Sequence, residues 1–476
     1  MTDLLKVCEE VKRRIIPNQK LRSAVQDKAE EIRSAVENES RKAGLTTEVR
    51  IDGSVAKDTW LKDYADVDIF MRVSPSLSKE QLRDVCLPIA KRALAPNPIV
   101  ERYAEHPYVE SYTPLGKKGT LRVNVVPCYN VKPGQWLSAT DRSPYHTEYI
   151  HQHLRSSQRD EVRLLKAFMR GIGAYGADIK TGGFSGMLCE TLILAQQDFQ
   201  SVLKRFSDWE ETSFIDLENY FEGRTDEAHR LFREPLIVID PVDKGRNLAA
   251  AVRSDQLWTF AAASRQLLAK PSKSFFEEPR ISPLNPSASR RLLNERASTI
   301  LAIVMGTIDV PVDILWSQLY KTERALVSLL ESNDFSIIRS SSWSNEHSLN
   351  VTLLELEQDE LAASRRHVGP PISRVAESAA FVRKHVAAGD TLSGPWVEGD
   401  RWVVLKERKH RFAIPLLKAS LKSGGRNVGV ASEPAQIFRR GVTILKGPSV
   451  GRLVNKSPEF GIALKAFLSG RPNWLD

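Results

Sequence analysis

Residues 53–73 read GSVAKDTWLKDYADVDIFMRV: a Gly-Ser turn, a short helical segment, and then Asp66-Val67-Asp68 entering an apolar strand. Strand side chains alternate faces, so both carboxylates share one side while Val67 and Ile69 take the other. Two aimed oxygen ligands suit Mg²⁺, which takes carboxylate oxygens together with phosphate oxygens and water. A pair of such ions stabilises both the attacking and the leaving oxygen of an in-line phosphoryl displacement. Upstream, Gly53 and Ser54 offer backbone N–H groups and a hydroxyl at a helix start, where the dipole favours a triphosphate. Lys57 adds a point charge one turn later.

An Asp-x-Asp pair alone is common on surface strands, but the Gly-Ser turn ahead of it resembles the nucleotidyltransferase superfamily that contains DNA polymerase beta. Members of that superfamily carry a third carboxylate on a neighbouring strand. The strand expected here comes from the hairpin YVESYTPLGKKGTLRVNVVPCY (108–129), whose turn is flanked by Gly116 and Gly119. The third position holds Asn124. Its carbonyl oxygen can face a metal, but it has no negative charge and cannot accept a proton from an attacking hydroxyl. Three readings stay open: an active enzyme with a weakened metal site, a chain inactivated by an introduced substitution, and a natural homologue that binds without turnover.

The bulk composition sets limits around this site. At 476 residues the chain predicts three or four domains. No stretch reaches the roughly 18 to 20 apolar residues of a membrane span, and the N-terminus lacks a secretory apolar run, so a cytoplasmic location is expected. Cys8, Cys86, Cys128 and Cys189 are far apart and form no Cys-x-x-Cys pair, which argues against zinc and disulfides. The net charge is +9, yet residues 401–456 hold thirteen Lys/Arg against two Glu, so that segment alone carries +11 and the remainder −2. Interleaved with Trp402, Phe412, Phe438 and several glycines, such a surface suits a phosphate backbone.

Along the chain, a mixed α+β catalytic domain is expected over 1–150, with a charged helix over 19–43 closed by Gly44 and a second helix capped by Ser78 and Gln81. An all-helical domain follows over 151–268, and the Pro- and Ser-rich stretch 270–289 reads as a linker. A β-α-β-β series of the ferredoxin-like kind, a common frame for binding RNA, is expected over 290–385. Residues 386–476 complete the chain as a basic tail.

Several separate strings then resemble one family in its own order, the archaeal (class I) CCA-adding enzymes, which are tRNA nucleotidyltransferases. They are RYAEHPYV (102–109), VVPCY (125–129), EVRLLKAF (161–168), GFSGMLCE (183–190), DPVDKGRN (240–247), and late GDRWVVLKERK and GGRNVG. The resemblance implies Asp66 and Asp68 as ligands of catalytic Mg²⁺, two ions during turnover, with Asn124 at the third position. It implies that Ser54, Lys57, His146, Lys166 and Tyr175 hold the triphosphate, and that Arg246 reads the incoming base. Glu105 and His106 resemble residues near the same pocket. From the sequence alone, His146 is equally a cap residue, Lys166 equally a solvated lysine beside apolar packing, and Arg246, placed at a helix start, equally a partner of Asp240 or Asp243.

The implied activity is addition of C, C and A to the 3′ end of tRNA from CTP and ATP, without a nucleic-acid template and with release of pyrophosphate. The basic region, with Arg408, Lys409, Arg411, Lys422, Arg426, Arg439 and Arg440, would grip the acceptor and T arms by phosphate and shape contacts. The family also suggests a homodimer and a role in RNA repair. Two rivals are a poly(A) polymerase-like enzyme and a non-catalytic tRNA-binding homologue, the latter supported by Asn124.

Overall fold

The computed structural model describes residues 3–103, 107–116, 119–209, 213–278 and 281–475. They fall into two compact units, residues 1–280 with 471–476, and residues 281–470. That is fewer than the chain length suggests, because the segments expected as catalytic and helical domains are bonded together. Arg163, 1% exposed, donates to the Trp60 carbonyl at 2.9 Å, and the Gly53 N–H donates to Thr147 Oγ1 at 3.3 Å.

The first unit is built on a five-stranded sheet. Its strands are β1 (Thr47–Asp52), β2 (Asp66–Val73), β3 (Ile99–Tyr103), β4 (Pro107–Leu115) and β5 (Gly119–Tyr129), in the order β1-β2-β5-β4-β3. On β2, Val67, Ile69, Met71 and Val73 are buried. They pack in one cluster with Val25, Ala29, Ile32 and Val36 of the helix Gln19–Lys42 and with Leu87, Ile89, Ala90 and Leu94 of the helix Leu87–Leu94. That burial commits one face of the sheet to the core and leaves Asp66 and Asp68 on the other. Gly44 takes φ +68° just past the helix end, as a C′ residue does. Ser78 and Gln81 form the expected capping box, but a π-turn over Leu82–Cys86 interrupts the helix they open.

The segment 151–268 is not all-helical. Helices Gln158–Gly171, Gly186–Gln196, Phe199–Ser207 and Ser254–Ala269 do share a core containing Phe168, Phe199, Phe206 and Phe260. Between them lie β6 (Ser213–Ile215), β7 (Leu236–Asp240) and β8 (Asp243–Asn247) in one three-stranded sheet. The run LIVID is buried at every residue and too short for a helix, so it becomes a central strand. Arg246 accordingly lies on a hairpin strand, not at a helix start. The stretch 270–289 is not wholly a linker either: Phe275, 3% exposed, stacks on Phe168 with centroids 6.2 Å apart.

The second unit carries β9 (Thr299–Met305), β10 (Ile337–Ser344), β11 (Asn350–Leu356) and β15 (Thr443–Lys446), all antiparallel in the order β10-β11-β9-β15. The helix Val312–Glu331 joins β9 to β10. A smaller sheet, β12 (Ser364–Pro371), β14 (Arg401–Glu407) and β13 (Thr391–Glu398), lies between β11 and β15 in sequence. Residues 386–470 are therefore folded, not a tail, and β12 and β14 pair across the boundary expected at 385/386. The cations are interspersed with buried Val403, Val404, Leu416, Leu417 and Phe438, and a charge count cannot see those buried residues. All four cysteines are free and buried, and burial pushes their thiols up. Among the described residues, no helix is long and apolar enough to cross a membrane.

Candidate functional site

Register places a row of polar side chains across the second face of the sheet. Asp52 pairs with Asp68, Asp68 with Asn124, and Asn124 with Glu110. Asn124 Nδ2 donates to Asp68 Oδ1 at 2.9 Å, and Arg122 Nη2 donates to Asp66 Oδ2 at 2.7 Å. Arg122 also faces Glu110, 3.9 Å away, which is held by Arg102 and Tyr112. Burial pushes Asp68 up to about 6 against the pull of the Asn124 hydrogen bond, with Asp66 adding to the rise and Lys57 opposing it. Burial raises Asp66 as well, partly offset by Arg122.

Gly53 fits this place for two reasons. Its φ is +71°, and a Cβ there would come within 2.1 Å of Asp68 Oδ2. Ser54 follows it on the four-residue helix Gly53–Ala56, half-buried. Among the described residues, no three His, Cys, Asp or Glu side chains converge to hold a metal ion. Two carboxylates do stand together with Asn124, whose Oδ1 is buried and has no hydrogen-bond partner. An unsatisfied carbonyl oxygen beside two carboxylates is a donor set that suits a hard divalent cation.

Lys57 and Lys166 meet inside the first unit instead of emerging into solvent. Lys57 Nζ lies 2.5 Å from Glu190 Oε2, and Lys166 Nζ lies 3.0 Å from Glu190 Oε1. Thr59 Oγ1 donates to the same Oε1 at 2.5 Å and accepts from Lys166 at 2.9 Å. Glu190 is fully buried. Burial works against its charge, yet the two ammonium groups and the hydroxyl hold it down at about 2. Tyr175 joins this corner: a Cβ on Gly186 would lie 3.2 Å from its hydroxyl and 3.5 Å from Lys166 Nζ. Burial raises the Tyr175 phenol.

A third group gathers His146, Asp240 and Arg246. His146 Nε2 lies 2.9 Å from both oxygens of Asp240, and Arg246 Nη1 donates to Asp240 Oδ2 at 3.0 Å. Asp243 pairs instead with Arg142 at 2.7 Å. Burial acts to raise the Asp240 carboxyl, but His146 and Arg246 outweigh it and hold it low. Arg246 keeps 43% of its side chain exposed and lines a pocket of about 340 Å³ with Ser185, Gly245 and Asn247. The helix Gly186–Gln196, capped by Ser185, begins at this pocket.

In the second unit Arg408 pairs with Asp334, and Arg411 with Glu360 at 3.1 Å. Lys409, Lys422, Arg426, Arg439 and Arg440 are exposed, with Arg439 bonded to the Ser423 carbonyl and Arg426 to the Val430 carbonyl. Glu105 and His106 lie outside the described residues. Sequence reasoning missed Glu190, Arg122 and Glu110. For Glu190 a signal existed, a lone acid among Leu188, Cys189, Leu192 and Ile193 on an apolar helix, where an unpaired carboxylate would not be buried.

Comparison with known proteins adds an independent line. Residues 29–146 match the family described as "Nucleotidyltransferase domain", residues 160–277 "tRNA nucleotidyltransferase, second domain", and residues 296–439 "CCA-adding enzyme, C-terminal domain". A protein of Methanothermobacter thermautotrophicus described as a CCA-adding enzyme is 35% identical over 435 residues, 90% of each chain. One from Halobacterium salinarum is 35% identical over 87% of this chain and 88% of its own. Another, from Halorubrum lacusprofundi, is 32% identical over 99% of this chain and 100% of its own.

Proposed function

The chain belongs to the CCA-adding enzymes, and on that premise we propose that it adds C, C and A to tRNA 3′ ends from CTP and ATP, releasing pyrophosphate. It is a nucleotidyltransferase, and the family match favours neither the poly(A) polymerase-like nor the non-catalytic reading. The observation that supports the assignment to this site is that Asp66 and Asp68 share one sheet face, with Asp68 against Gly53.

Asp66 and Asp68, with the Asn124 carbonyl, would hold a divalent cation, which we take to be Mg²⁺. When bound, it lowers the pKa of the attacking 3′-hydroxyl and neutralises triphosphate charge. Ser54 would approach the phosphates with its hydroxyl, on a turn that Gly53 keeps clear of a Cβ, and Lys57, Lys166 and Tyr175 would hold them. Arg246, kept in place by Asp240 and backed by His146, presents its remaining donors to the base edge. Most of the rate enhancement then comes from positioning and fixed charge. Asn124 donates to Asp68, so its amide orients a ligand even though it brings no charge.

Lys409, Lys422, Arg426, Arg439 and Arg440 would contact tRNA phosphates of the acceptor and T arms without reading sequence. A cytoplasmic homodimer belongs to the same reading; light scattering would check the dimer. The assignment is tested by divalent-metal-dependent incorporation of CTP and ATP into tRNA lacking CCA. Ordered C, C, A addition is expected. ATP-only tailing of unstructured RNA, or no incorporation by this chain or its Asn124→Asp form, would overturn it.

A further inference from the structure

Glu190 is fully buried, and both of its oxygens are engaged by groups distant in sequence. Lys57 and Thr59 come from the segment between β1 and β2, Lys166 from the helix Gln158–Gly171. Lys57, Thr59 and Lys166 are themselves 6%, 0% and 2% exposed. Three charges therefore stand in the core of the first unit. Buried ion clusters rarely stabilise a fold more than apolar residues of the same volume would, because desolvation offsets the Coulomb gain. Stability alone does not account for such a cluster.

The chemistry of the cluster supplies a reason. A lysine ammonium sits on four rotatable carbons and has no fixed geometry of its own. One carboxylate shared by two ammonium groups sets the distance between them. Two positive charges against one negative leave the cluster one unit positive; Lys166 engages Glu190, the Thr59 hydroxyl and the Thr59 carbonyl, so it adds charge to the cluster and Lys57 the open donors. Among the described residues, Lys57 uses its ammonium on Glu190 alone. Lys57 closes the helix Gly53–Ala56, whose first residue lies against Asp68, so the cluster stands one helical turn from the catalytic carboxylates.

We propose that Glu190 is a positioning residue for nucleotide transfer: it holds the Lys57 and Lys166 ammonium groups at one spacing, as a preset pair of cations for the triphosphate of CTP and ATP. This rests on the reading of both lysines as triphosphate contacts. The carboxylate touches neither substrate nor metal. It acts through the lysines, so its loss weakens phosphate recognition and leaves base recognition at Arg246 intact.

The test compares CTP with CMP. Binding of each is measured by calorimetry on the whole chain and its Glu190→Gln and Glu190→Asp forms, alongside KM and kcat for CTP and ATP. Glu190→Gln is expected to weaken CTP by about tenfold or more while CMP changes by less than about twofold, and Glu190→Asp to recover part of the loss. Proportionate weakening of CTP and CMP, or unchanged CTP binding, overturns the proposal. If Glu190→Gln does not fold, Thr59→Val, which exchanges the hydroxyl for a methyl of similar volume, must show the same asymmetry at about threefold, and its absence also overturns it. Lys57→Met and Lys166→Met separate the two levels. If neither weakens CTP, the triphosphate reading of the lysines fails; if both do and the Glu190 and Thr59 variants do not, the positioning role alone fails.

Discussion

Replacing Asn124 by Asp should destabilise the metal-free protein and strengthen its hold on metal. The Asn124 amide donates to Asp68 at 2.9 Å. Asp at this position loses that bond, costing about 1.5–3 kcal/mol for a hydrogen bond to a charged acceptor. It also brings a second carboxylate against Asp68. At ~4 Å and an effective dielectric of about 20, the repulsion approaches ~4 kcal/mol, an upper bound that protonation relieves. Asp68 already titrates at about 6. A carboxyl with a raised folded pKa contributes stability at low pH and loses it as pH rises through that value. The penalty in Asn124→Asp should therefore be small near pH 5, where a protonated Asp68 can donate to the new carboxylate, and reach about 2–4 kcal/mol near pH 8. At roughly 2–4 °C per kcal/mol for a unit of this size, Tm in EDTA falls by roughly 5–15 °C. Saturating Mg²⁺ reverses the order, since a third anionic ligand tightens the site and bound metal stabilises by about 2.7 kcal/mol at a hundred times Kd. Thermal unfolding at both pH values, with EDTA and with Mg²⁺, measures this. Equal melting in EDTA near pH 8, or no greater stabilisation by Mg²⁺ than in the parent, refutes the reasoning.

Three further expectations concern separate elements. Gly53→Ala forces a Cβ into Asp68 Oδ2 at a positive φ, so it should cost about 1–3 kcal/mol of stability and reduce incorporation at least ~100-fold; a variant with parental Tm and activity would contradict that geometry. Because Glu190 is held at about 2, below its ordinary range, its contribution is present above that range and lost as pH falls toward about 2. The difference in Tm between the parent and Glu190→Gln should narrow on acidification, and a gap that widens would contradict the sign. Removing Lys409, Lys422 or Arg440 should each lower the salt slope of tRNA binding by about one, while Arg408→Ala, which breaks the pair with Asp334, should lower Tm with less effect on the slope; filter binding across salt concentrations tests both.

What the sequence made legible follows the range of the forces involved. The Gly-Ser turn, the Asp-x-Asp strand and the hairpin to Asn124 are local patterns, and the structure sets them on four adjacent strands, β1-β2-β5-β4. Capping at Ser78 was equally legible, since two side chains and two backbone amides three residues apart decide it. The fates of Lys57 and Lys166 were not, because Glu190 meets them only through the tertiary fold. A lysine beside apolar residues looks the same whether it faces water or a buried acid. The hairpin at Arg246 is not legible in the sequence, because a short apolar run with a polar turn fits either a strand or a helix start. The folded nature of the basic region was hidden by composition: β14 sets buried Val403 and Val404 between Arg401 and Lys406, and net charge averages over so short a stretch.

The four-stranded sheet of the second unit has a consequence for how the chain is made. Strand β15 covers the edge of β9, pairing Thr443–Lys446 with Leu301–Val304. During synthesis, β9 and β11 emerge long before β15, since β11 ends at Leu356 and β15 begins at Thr443. At about 5–20 residues per second, the ribosome takes roughly 4–17 s to deliver the missing strand. Throughout that interval the β9 edge, flanked by Leu301, Ala302 and Ile303, is an open template for a neighbouring nascent chain. Aggregation during expression is therefore set by the clock of translation: slow codons within 357–442 should lower the soluble yield, and codons that speed this segment should raise it, with the finished protein unchanged.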